Sequence, residues 1–405
     1  MNDREKALID EQVKNLLDYY NSGQKNEAEE LALSITEKFP DNQFSWKVLG
    51  VLWLKNNEIS KAFYAMNKAI ELSPSDPSSL YNLGLALKEI GKLDEAEETY
   101  RKVIKLKNNY PEVHNNLGVV LQAMGRTEEA QKSFKEEISN NPSYASAFWN
   151  LYGCSKTLQE SEYWINKCLD ADNDHLKAKL TKAALNYYKD YKNDFLSLMN
   201  SKFKDHSYMR SFNWVFSLPK LPDLHFNVWY FFDSVINKSI ISRPFYEYGV
   251  WRAASFKYLI NVFKRGFGFD TFTGLPEDWY LGKSVEQAGT YSSGGDVPII
   301  EGGEFIVGKF EDTLPIFFSK NRPKASIINF DADLYSSTIC ALNYSKEIID
   351  KDTILIFDEF IMNENWEEDE FKALNEFCSN HSCKFEVLAV SFFTKQVAVK
   401  LIEFK

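Results

Sequence analysis

The sequence predicts two architectures in one chain, an all-α region of helical repeats followed by an α/β region with a mostly parallel sheet. Two observations predict this. Before residue 150, small and apolar residues recur with a regular period, as at Gly50, Gly84 and Gly118. After residue 240, short apolar runs alternate with helical stretches, which is typical of parallel strands covered by helices on both faces.

Composition indicates a globular protein and argues against several functions. The chain has 405 residues, 44% of them hydrophobic and 26% charged, which suits two or three domains. Its net charge of −11 argues against a nucleic-acid partner or an anionic membrane. The charged start "MNDREKALIDEQVK" is unlike a secretory signal, and no apolar run is long enough to cross a bilayer. Five scattered cysteines suit reduced thiols, so we expect cytoplasmic placement.

The repeat period is shared by several positions in register. These are Pro40, Pro74 and Pro142; Leu49, Leu83, Leu117 and Leu151; Gly50, Gly84 and Gly118; Ala28, Ala62, Ala96 and Ala130; and Tyr100 with Phe134. Small residues let two helices pack closely and proline ends the second, so each unit is a helix–turn–helix. The pattern resembles the tetratricopeptide repeat (TPR) family. We predict a TPR α-solenoid over 1–154, with clear repeats at 43–76, 77–110 and 111–144.

A solenoid of this kind has a concave groove, and the sequence leaves its role open. Asn82, Asn116 and Asn150 take one equivalent position in three repeats. Because an asparagine amide both donates and accepts hydrogen bonds, a ladder of them can hold a protein or peptide partner. Asparagine is, however, common at this position in the repeat family. The solenoid alternatively mediates homodimerisation or holds the second domain in place.

The segment 155–235 is predicted to be a helical cap or linker. From Met209 to Phe232 it is dense in aromatic residues and broken by Pro219 and Pro222, so it is too interrupted for a membrane helix. The sequence leaves two roles open for this segment: a lid over a substrate pocket, or a surface that packs between the domains. A second lid candidate is the stretch from Gly274 to Val297, which is rich in Gly, Ser and Thr and has little periodicity.

The predicted strands end in polar residues, and parallel α/β sheets bind ligands at those ends. The first strand runs into "EYGVWRAAS", where Gly249 permits a tight turn and close approach of a ligand. The second strand ends at Asp270, and its distance along the chain from Glu247 is typical of an acid that holds ribose hydroxyls. No GxGxxG cradle for a pyrophosphate is present. A nucleoside without phosphates, such as S-adenosylmethionine, therefore fits better than a nicotinamide cofactor.

Five motifs after residue 240 resemble a known family in sequence and order. They are "EYGVWRAAS", "GFDTFTGLPEDW", "GKFEDTLP", "FDADLYSST" and "LIFDEF", and they are similar to those of the macrocin O-methyltransferase (TylF-like) family. The resemblance covers about 236–405. It implies a Rossmann-like class I methyltransferase domain with a mostly parallel seven-stranded sheet and an antiparallel terminal hairpin. It also implies a metal-dependent activity on a hydroxyl of a sugar, glycan or glycosylated metabolite. Ala253 stands where the family usually has a second glycine.

The resemblance also implies roles for individual residues. Cofactor binding falls to Glu247, Gly249, Ser255, Asp270, Phe310 and Asp312. The metal falls to Asp331, Asp358 and Glu359. Carboxylate oxygens select a hard cation, Mg²⁺ by default. Asp333 is then the base that takes the proton from the acceptor hydroxyl, or alternatively the N-cap of a helix that begins near Tyr335.

Two other functions remain open. A DxD motif such as "DAD" also holds a divalent metal in sugar-nucleotide glycosyltransferases, and TPR repeats occur fused to those enzymes. The chain can also be a TPR scaffold whose methyltransferase-like half is inactive. Against the glycosyltransferase, "DAD" ends a late strand, after a first-strand turn and a second-strand acid that suit a nucleoside cofactor. Carboxylates at every predicted position argue against the inactive scaffold.

Overall fold

The computed structural model describes residues 3–56, 58–282 and 284–403. The chain divides into two compact units, residues Met1–Asn141 and Pro142–Lys405. The first unit is all-α, and the second contains further helices and all the described strands. Among the described residues, no helix combines the length and apolar character needed to cross a membrane.

The first unit consists of antiparallel helix pairs. Its described helices are α1 (Asp3–Asn21), α2 (Lys25–Lys38), α3 (Gln43–Lys55), α4 (Ile59–Leu72), α5 (Pro77–Glu89), α6 (Leu93–Leu106), α7 (Val113–Ala123) and α8 (Thr127–Asn140). The starts of α3 and α5 are capped by the side chains of Asn42 and Asp76, which accept hydrogen bonds from the backbone of Ser45 and Ser79. The predicted repeats at 43–76 and 77–110 therefore begin at equivalent caps.

The recurring glycines explain why the pairs pack closely. Each one faces a large side chain at an equivalent position on the second helix of its repeat: Gly50 faces Met66, Gly84 faces Tyr100 and Gly118 faces Phe134. A Cβ atom at any of these glycines would overlap the facing side chain. The repeat period is thus a packing requirement, and the helical repeats predicted from it are confirmed.

The second unit begins with helices and continues into the sheet. Its helices are α9 (Ala145–Tyr152), α10 (Leu158–Ala171), α11 (Leu176–Tyr188), α12 (Asn193–Met199), α13 (Ser207–Ser217), α14 (Val228–Ile236), α15 (Ala254–Phe263), α16 (Phe310–Phe318), α17 (Tyr335–Ser345) and α18 (Glu370–Asn380). Its strands are β1 (Asp223–His225), β2 (Phe245–Tyr248), β3 (Gly266–Asp270), β4 (Trp279–Leu281), β5 (Ser284–Glu286), β6 (Gly303–Val307), β7 (Ile327–Phe330), β8 (Ile354–Phe357), β9 (Lys384–Ser391) and β10 (Val397–Ile402).

The main sheet has the strand order β1-β9-β10-β8-β7-β2-β3-β6. Strand β10 is antiparallel to both neighbours, whereas the other pairs are parallel. Seven of these strands follow residue 240, as predicted. The eighth strand, β1, was not predicted, because it lies in the segment 155–235 that was predicted to be helical. Because β1 pairs with β9, the outermost strand on that side of the sheet is β1 and not a strand of the β9–β10 hairpin.

The helices before β1 belong to the same compact unit as the sheet. Asn227 donates a hydrogen bond of 3.2 Å to the carbonyl of Gly153, and a Cβ atom at Gly153 would overlap the ring of Phe393 in the turn after β9. Arg210 of α13 pairs with Glu367 at 2.7 Å. This unit starts at residue 142, earlier than the predicted boundaries at 154 and 235, because these contacts join the helices to the sheet.

The chain path defines one topological switch point. From β2 the chain adds β3 and β6 on one side, and it then returns to add β7 and β8 on the other side of β2. The connections diverge where the carboxyl ends of β2 and β7 lie side by side. Open α/β sheets bind ligands at such a point, and "EYGVWRAAS" and "FDADLYSST" both begin in these strands.

Gly249, directly after β2, should be intolerant of any side chain. Its φ is +86°, and an added Cβ would overlap the backbone carbonyl of Asp331. Gly294 is a matched control, because its φ is +76° but nothing lies within 4 Å of an added Cβ. We expect Gly294→Ala to cost about 1–2 kcal/mol from backbone strain alone. Gly249→Ala should lower the free energy of unfolding by at least about 3 kcal/mol in urea titrations. Equal losses in the two variants would show that the overlap does not matter.

Candidate functional site

The predicted site residues come together at one edge of the sheet. Asp331 follows β7 directly, Asp358 follows β8, and Asp270 is the last residue of β3. Since β2, β3, β7 and β8 are mutually parallel, their carboxyl ends meet at the same edge. The structure therefore brings the nucleoside-binding motif and the acidic motifs to neighbouring positions around the switch point.

The backbone segments that follow β2 and β7 lie very close together. Asp331 donates its N–H to the carbonyl of Tyr248 at 2.8 Å, and Gly249 donates to Phe269 at 2.9 Å. The sequence predicted that Gly249 makes room for a ligand. In the structure, Gly249 makes room for the carbonyl of Asp331, which occupies the position that a Cβ would take. The glycine is thus required by the meeting of β2 and β7, whatever ligand binds beside it.

Asp270 organises the loop after β2. One of its oxygens accepts hydrogen bonds from the N–H groups of Val250 and Trp251, both at 2.7 Å, and the other accepts one from Phe272 at 2.6 Å. A carboxylate oxygen has two lone pairs, so the second oxygen can accept one more donor. Asp270 therefore has capacity for one ribose hydroxyl while it holds the loop. Its predicted role as a ribose ligand stays a prediction.

Glu247 and Ser255 bond to each other. The hydroxyl of Ser255 donates to Glu247 at 3.0 Å, and the amide of Asn329 donates at 3.4 Å. Glu247 has no solvent exposure, and this burial raises the pKa of its carboxyl to about 8. In this arrangement Glu247 supports the loop from the sheet side, and its predicted contact with a cofactor stays a prediction.

The two residues of "GKFEDTLP" differ in their surroundings. Phe310 begins α16, and its ring meets the ring of Tyr248 edge-on with centroids 5.5 Å apart. Phe310 thereby lies beside β2 at the switch point. Asp312, in the same first turn, is exposed to solvent. Their assignment to the adenine side of a cofactor stays a prediction.

Asp333 sits in a strained tight turn. Its φ is +58°, and Leu334 donates its N–H across it to the carbonyl of Ala332 at 2.6 Å. Helix α17 begins at Tyr335 with Leu334 as its N-cap residue and no capping side chain, so the alternative role of Asp333 as N-cap is wrong. Among the described residues, no hydrogen bond involves the Asp333 carboxylate. The turn presents an acceptor that the rest of the fold does not use.

Backbone strain is concentrated around this edge. Several non-glycine residues in the loops around it have positive φ values: Trp251, Ala253, Phe272, Tyr291, Asp333, Met362 and Lys395. Most of them closely follow β2, β3, β7 or β8, and the rings of Trp251 and Tyr291 meet edge-on at 5.7 Å. Such conformations cost about 1–3 kcal/mol each and cluster at functional sites. The strain independently marks the same edge as the motifs do.

Burial and mutual repulsion raise the pKa values of several acidic side chains at this edge. Burial, followed by the charges of Asp358 and Asp333, raises the pKa of Asp331 well above its usual range. Burial and the charges of Glu359 and Asp358 likewise raise the pKa of Asp333. Glu370, completely buried at the start of α18, has its pKa raised by burial and by Asp358. Like charges at close range in a buried site need a compensating cation or bound protons.

A lysine supplies part of that compensation. Lys395 pairs with both oxygens of Glu359, at 3.0 and 2.7 Å, and the amides of Asn363 and Gln396 donate to Glu359 and Asp358 respectively. In the part of the chain that the structure describes, no three His, Cys, Asp or Glu side chains are arranged to hold a metal ion. Asp331 and Asp358 offer the oxygen ligands that Mg²⁺ prefers, but the third predicted ligand, Glu359, is engaged by an ammonium group. The metal site stays a prediction, and the described residues do not show its three ligands gathered around one point.

Sequence reasoning missed several residues of the site. The sequence assigned no role in the site to Glu370, Lys395 or Gln396. Their place in the site depends on the hairpin β9–β10. Since β10 is antiparallel to both β8 and β9, β9 runs parallel to β8, and the turn after β9 lies at the edge that carries the carboxylates. No local signal reveals this pairing.

The predicted lid segment, Gly274 to Val297, contains a small two-stranded antiparallel sheet, β4 with β5. Trp279 of β4 donates its indole N–H to Asp369 at 3.3 Å. Tyr291 is 39% exposed, and burial of part of its phenol together with Asp333 raises its pKa. The segment thus contacts Asp369 through Trp279, and Tyr291 lies near enough to Asp333 to be affected by its charge. Its role as a lid stays a prediction.

One of the three asparagines of the predicted ladder, Asn116, is engaged within the repeats. The amide of Asn116 donates to the hydroxyl of Tyr81 at 2.9 Å and to the carbonyl of Glu112 at 3.1 Å, and the residue is 8% exposed. Asn116 therefore serves the packing of the repeats. Asn82, one repeat earlier, is partly exposed.

Comparison with known proteins agrees with the repeat assignment. A model described as TPR repeat matches residues 86–125, and models described as tetratricopeptide repeat match 14–77, 65–98 and 111–144. The N-terminal region is therefore built of TPR repeats. Photosystem I assembly protein Ycf3 of Synechococcus sp. (strain CC9605) is 32% identical over 66 residues, which are 16% of this chain and 38% of Ycf3. The chain thus spans well under half the length of that relative.

Solved structures are similar at low identity. PilF of Pseudomonas aeruginosa is 18% identical, with a TM-score of 0.44 over 50% of this chain and 96% of its own. PilW, a type IV pilus biogenesis factor, is 15% identical, with a TM-score of 0.45 over 52% and 98% of the two chains. YrrB, described as a TPR protein with an unusual peptide-binding site, is 18% identical, with a TM-score of 0.35 over 44% and 93%. Likenesses at this level add nothing about the activity of this chain.

The buried carboxyl of Glu247 predicts a pH dependence of stability. Its pKa in the folded protein, about 8, lies above the usual value of 4.5, so the folded state holds a proton that the unfolded state releases. This stabilisation is complete below about pH 4.5 and is lost as the pH rises to about 8. The wild type should therefore lose about 1.4 kcal/mol per pH unit relative to Glu247→Gln, which cannot ionise. Urea unfolding of both proteins from pH 5 to 8 measures the difference. A constant difference across that range would show that Glu247 is ionised in the folded protein.

Proposed function

We propose that residues 236–405 form an S-adenosylmethionine-dependent O-methyltransferase that acts on a hydroxyl of a sugar, glycan or glycosylated metabolite. One observation carries the proposal. The backbone of Asp333 is strained, and its carboxylate makes no hydrogen bond among the described residues. It lies at the switch point of the α/β sheet, next to the loop after β2, which suits a nucleoside. An unused acceptor at the position where ligands bind is what a general base requires.

The sheet supports this class of enzyme. The resemblance to the macrocin O-methyltransferase family implies seven mostly parallel strands that end in an antiparallel hairpin. The strands after residue 240 have that form, with β10 the antiparallel one. The loop after β2 is held by Asp270 and has no glycine cradle for a pyrophosphate. These features favour a nucleoside donor over a dinucleotide or a sugar nucleotide.

The chemistry needs few groups. The acceptor oxygen attacks the methyl carbon of the sulfonium donor in line, so that the C–O bond forms as the C–S bond breaks. The hydroxyl proton passes to the carboxylate of Asp333, and S-adenosylhomocysteine and a methyl ether leave. The tight turn fixes the backbone of Asp333 before the substrate arrives, so the carboxylate starts from a set position.

A divalent ion, if one binds, would orient the acceptor hydroxyls and lower their pKa. Asp331 and Asp358 are the side chains that would hold it, and a cation would offset the repulsion between their half-buried carboxylates. Glu359 can join them only after it leaves Lys395. The atoms and charges of the methyl transfer balance without a metal ion.

We further propose that the TPR region binds a protein, either a regulatory partner or a carrier of the acceptor. The matches to TPR models over residues 14–144 support this role, because such solenoids present an extended groove built from successive repeats. A protein-binding scaffold without catalytic activity is the second candidate function, and the same matches favour it.

Donor binding is the first test. Titration calorimetry with S-adenosylmethionine and S-adenosylhomocysteine should show binding of both, whereas a panel of nucleotide sugars should show none. Binding of a nucleotide sugar in their place would indicate the glycosyltransferase. A chain that binds neither class would reject both enzymes and leave the scaffold.

Asp333 is the second test. We expect Asp333→Asn to bind S-adenosylhomocysteine as the wild type does but to lose at least about 100-fold in turnover, measured as S-adenosylhomocysteine released with a panel of hexoses and glycosides. Asp352→Asn is the matched control, because Asp352 precedes β8 and so lies at the opposite edge of the sheet. Undiminished turnover in the Asp333 variant would exclude it as the base.

A further inference from the structure

Two consecutive residues of one turn engage two consecutive carboxylates. Lys395 lies 3.0 Å from one oxygen of Glu359 and 2.7 Å from the other, and its neighbour Gln396 donates to Asp358. Both carboxylates directly follow β8. The ammonium group therefore faces the pair of acids that the sequence assigned to a divalent metal ion.

The turn holds Lys395 in place. Ser391, the last residue of β9, donates its N–H to the carbonyl of Gln396 at 2.9 Å, and Lys395 donates back to the carbonyl of Ser391 at 3.1 Å. The hydroxyls of Ser391 and Thr394 are 2.6 Å apart. Lys395 itself has a φ of +70°, which is unfavourable for a lysine on a loose surface turn. The fold thus accepts backbone strain at the residue that carries the cation.

The surroundings make this ion pair a strong one. The side chains of Lys395 and Glu359 are 32% and 20% exposed, so water screens their charges only partly. Asn363 also donates to Glu359, which leaves that carboxylate well supplied with donors. A second lysine, Lys177 of α11, is near enough that burial and the charge of Lys395 together lower its pKa. The ammonium group of Lys395 beside these acids makes the position less favourable for a divalent ion.

We propose that Lys395 is the resident cation of this carboxylate site. Its ammonium group compensates Glu359 in place of a divalent metal ion, and the site binds such an ion well only when the lysine side chain is removed. The inference concerns the acidic cluster itself and does not rest on the proposed methyl transfer. It removes Glu359 from the three carboxylates predicted to bind a metal ion, which leaves Asp331 and Asp358.

Binding of Mn²⁺ to the full chain tests the proposal, because the electron paramagnetic resonance signal of free Mn²⁺ disappears on binding. No donor or acceptor is added, so the result is independent of any enzymatic activity. Wild type should bind Mn²⁺ only weakly, with a Kd above about 1 mM. Lys395→Met should bind one ion with a Kd at least about tenfold lower than that limit, a change of about 1.4 kcal/mol. The double variant Lys395→Met with Glu359→Gln should lose that gain, since the carboxylate is then absent.

Lys384→Met is the matched control. It removes a lysine of the same type that pairs with Glu403 at 3.3 Å, but at the start of β9, on the opposite edge of the sheet. Its Mn²⁺ binding should equal that of the wild type. If Lys395→Met does not fold, Lys395→Gln, which keeps a hydrogen-bond donor beside Glu359, is measured instead with the same expectation. Tight binding of Mn²⁺ by the wild type, or no gain in the folded lysine variant, would overturn the proposal.

Discussion

The contact between the ends of β2 and β7 is the constraint on which the second unit depends. Tyr248 and Phe330 are paired across these parallel strands, and the next residue of each strand, Gly249 and Asp331, must then turn in opposite directions. They do so at such close range that the carbonyl of Asp331 fills the space of a missing Cβ. Because the loop after β2 and the acidic loop after β7 both start here, their relative position follows from this one meeting. The two loops therefore cannot shift independently of each other at this point.

The second constraint is electrostatic. The fold collects carboxylates from the ends of β7 and β8 and from the start of α18, and burial and mutual repulsion raise the pKa of Asp331, Asp333 and Glu370. Such a cluster is stable only if protons or cations compensate it. Lys395 compensates Glu359, whereas the Asp333 carboxylate has no hydrogen bond among the described residues. The site therefore separates an acid that is paired with a lysine from an acid that has no hydrogen-bond partner among the described residues.

The helices before the sheet take part in this arrangement. Helix α13 holds the loop after β8 at both polar groups of Met362, whose N–H donates to the hydroxyl of Ser211 at 2.8 Å and whose carbonyl accepts from Ser207 at 2.8 Å. Arg210 of the same helix binds Glu367 in that loop. Met362 has a φ of +72°, and these bonds stabilise its strained backbone. The segment that the sequence suggested as a linker is thus a support for the acidic loop.

The sequence by itself determined the features that local packing dictates. A glycine at the same position of each repeat allows a large side chain on the paired helix, so the TPR repeats were predictable from Gly50, Gly84 and Gly118. Parallel strands end at a common edge, so the sequence could place Asp270, Asp331 and Asp358 at one edge of the sheet.

Only the tertiary structure decided which groups complete the site. Lys395 reaches Glu359, far back along the chain, because β10 inserts between β8 and β9, and this choice of neighbour leaves no periodic trace in the sequence. The strand β1 is short, and only its pairing with β9 distinguishes it from a loop. Residues distant in the chain become partners through the order of strands, which the whole sheet determines and no local pattern specifies.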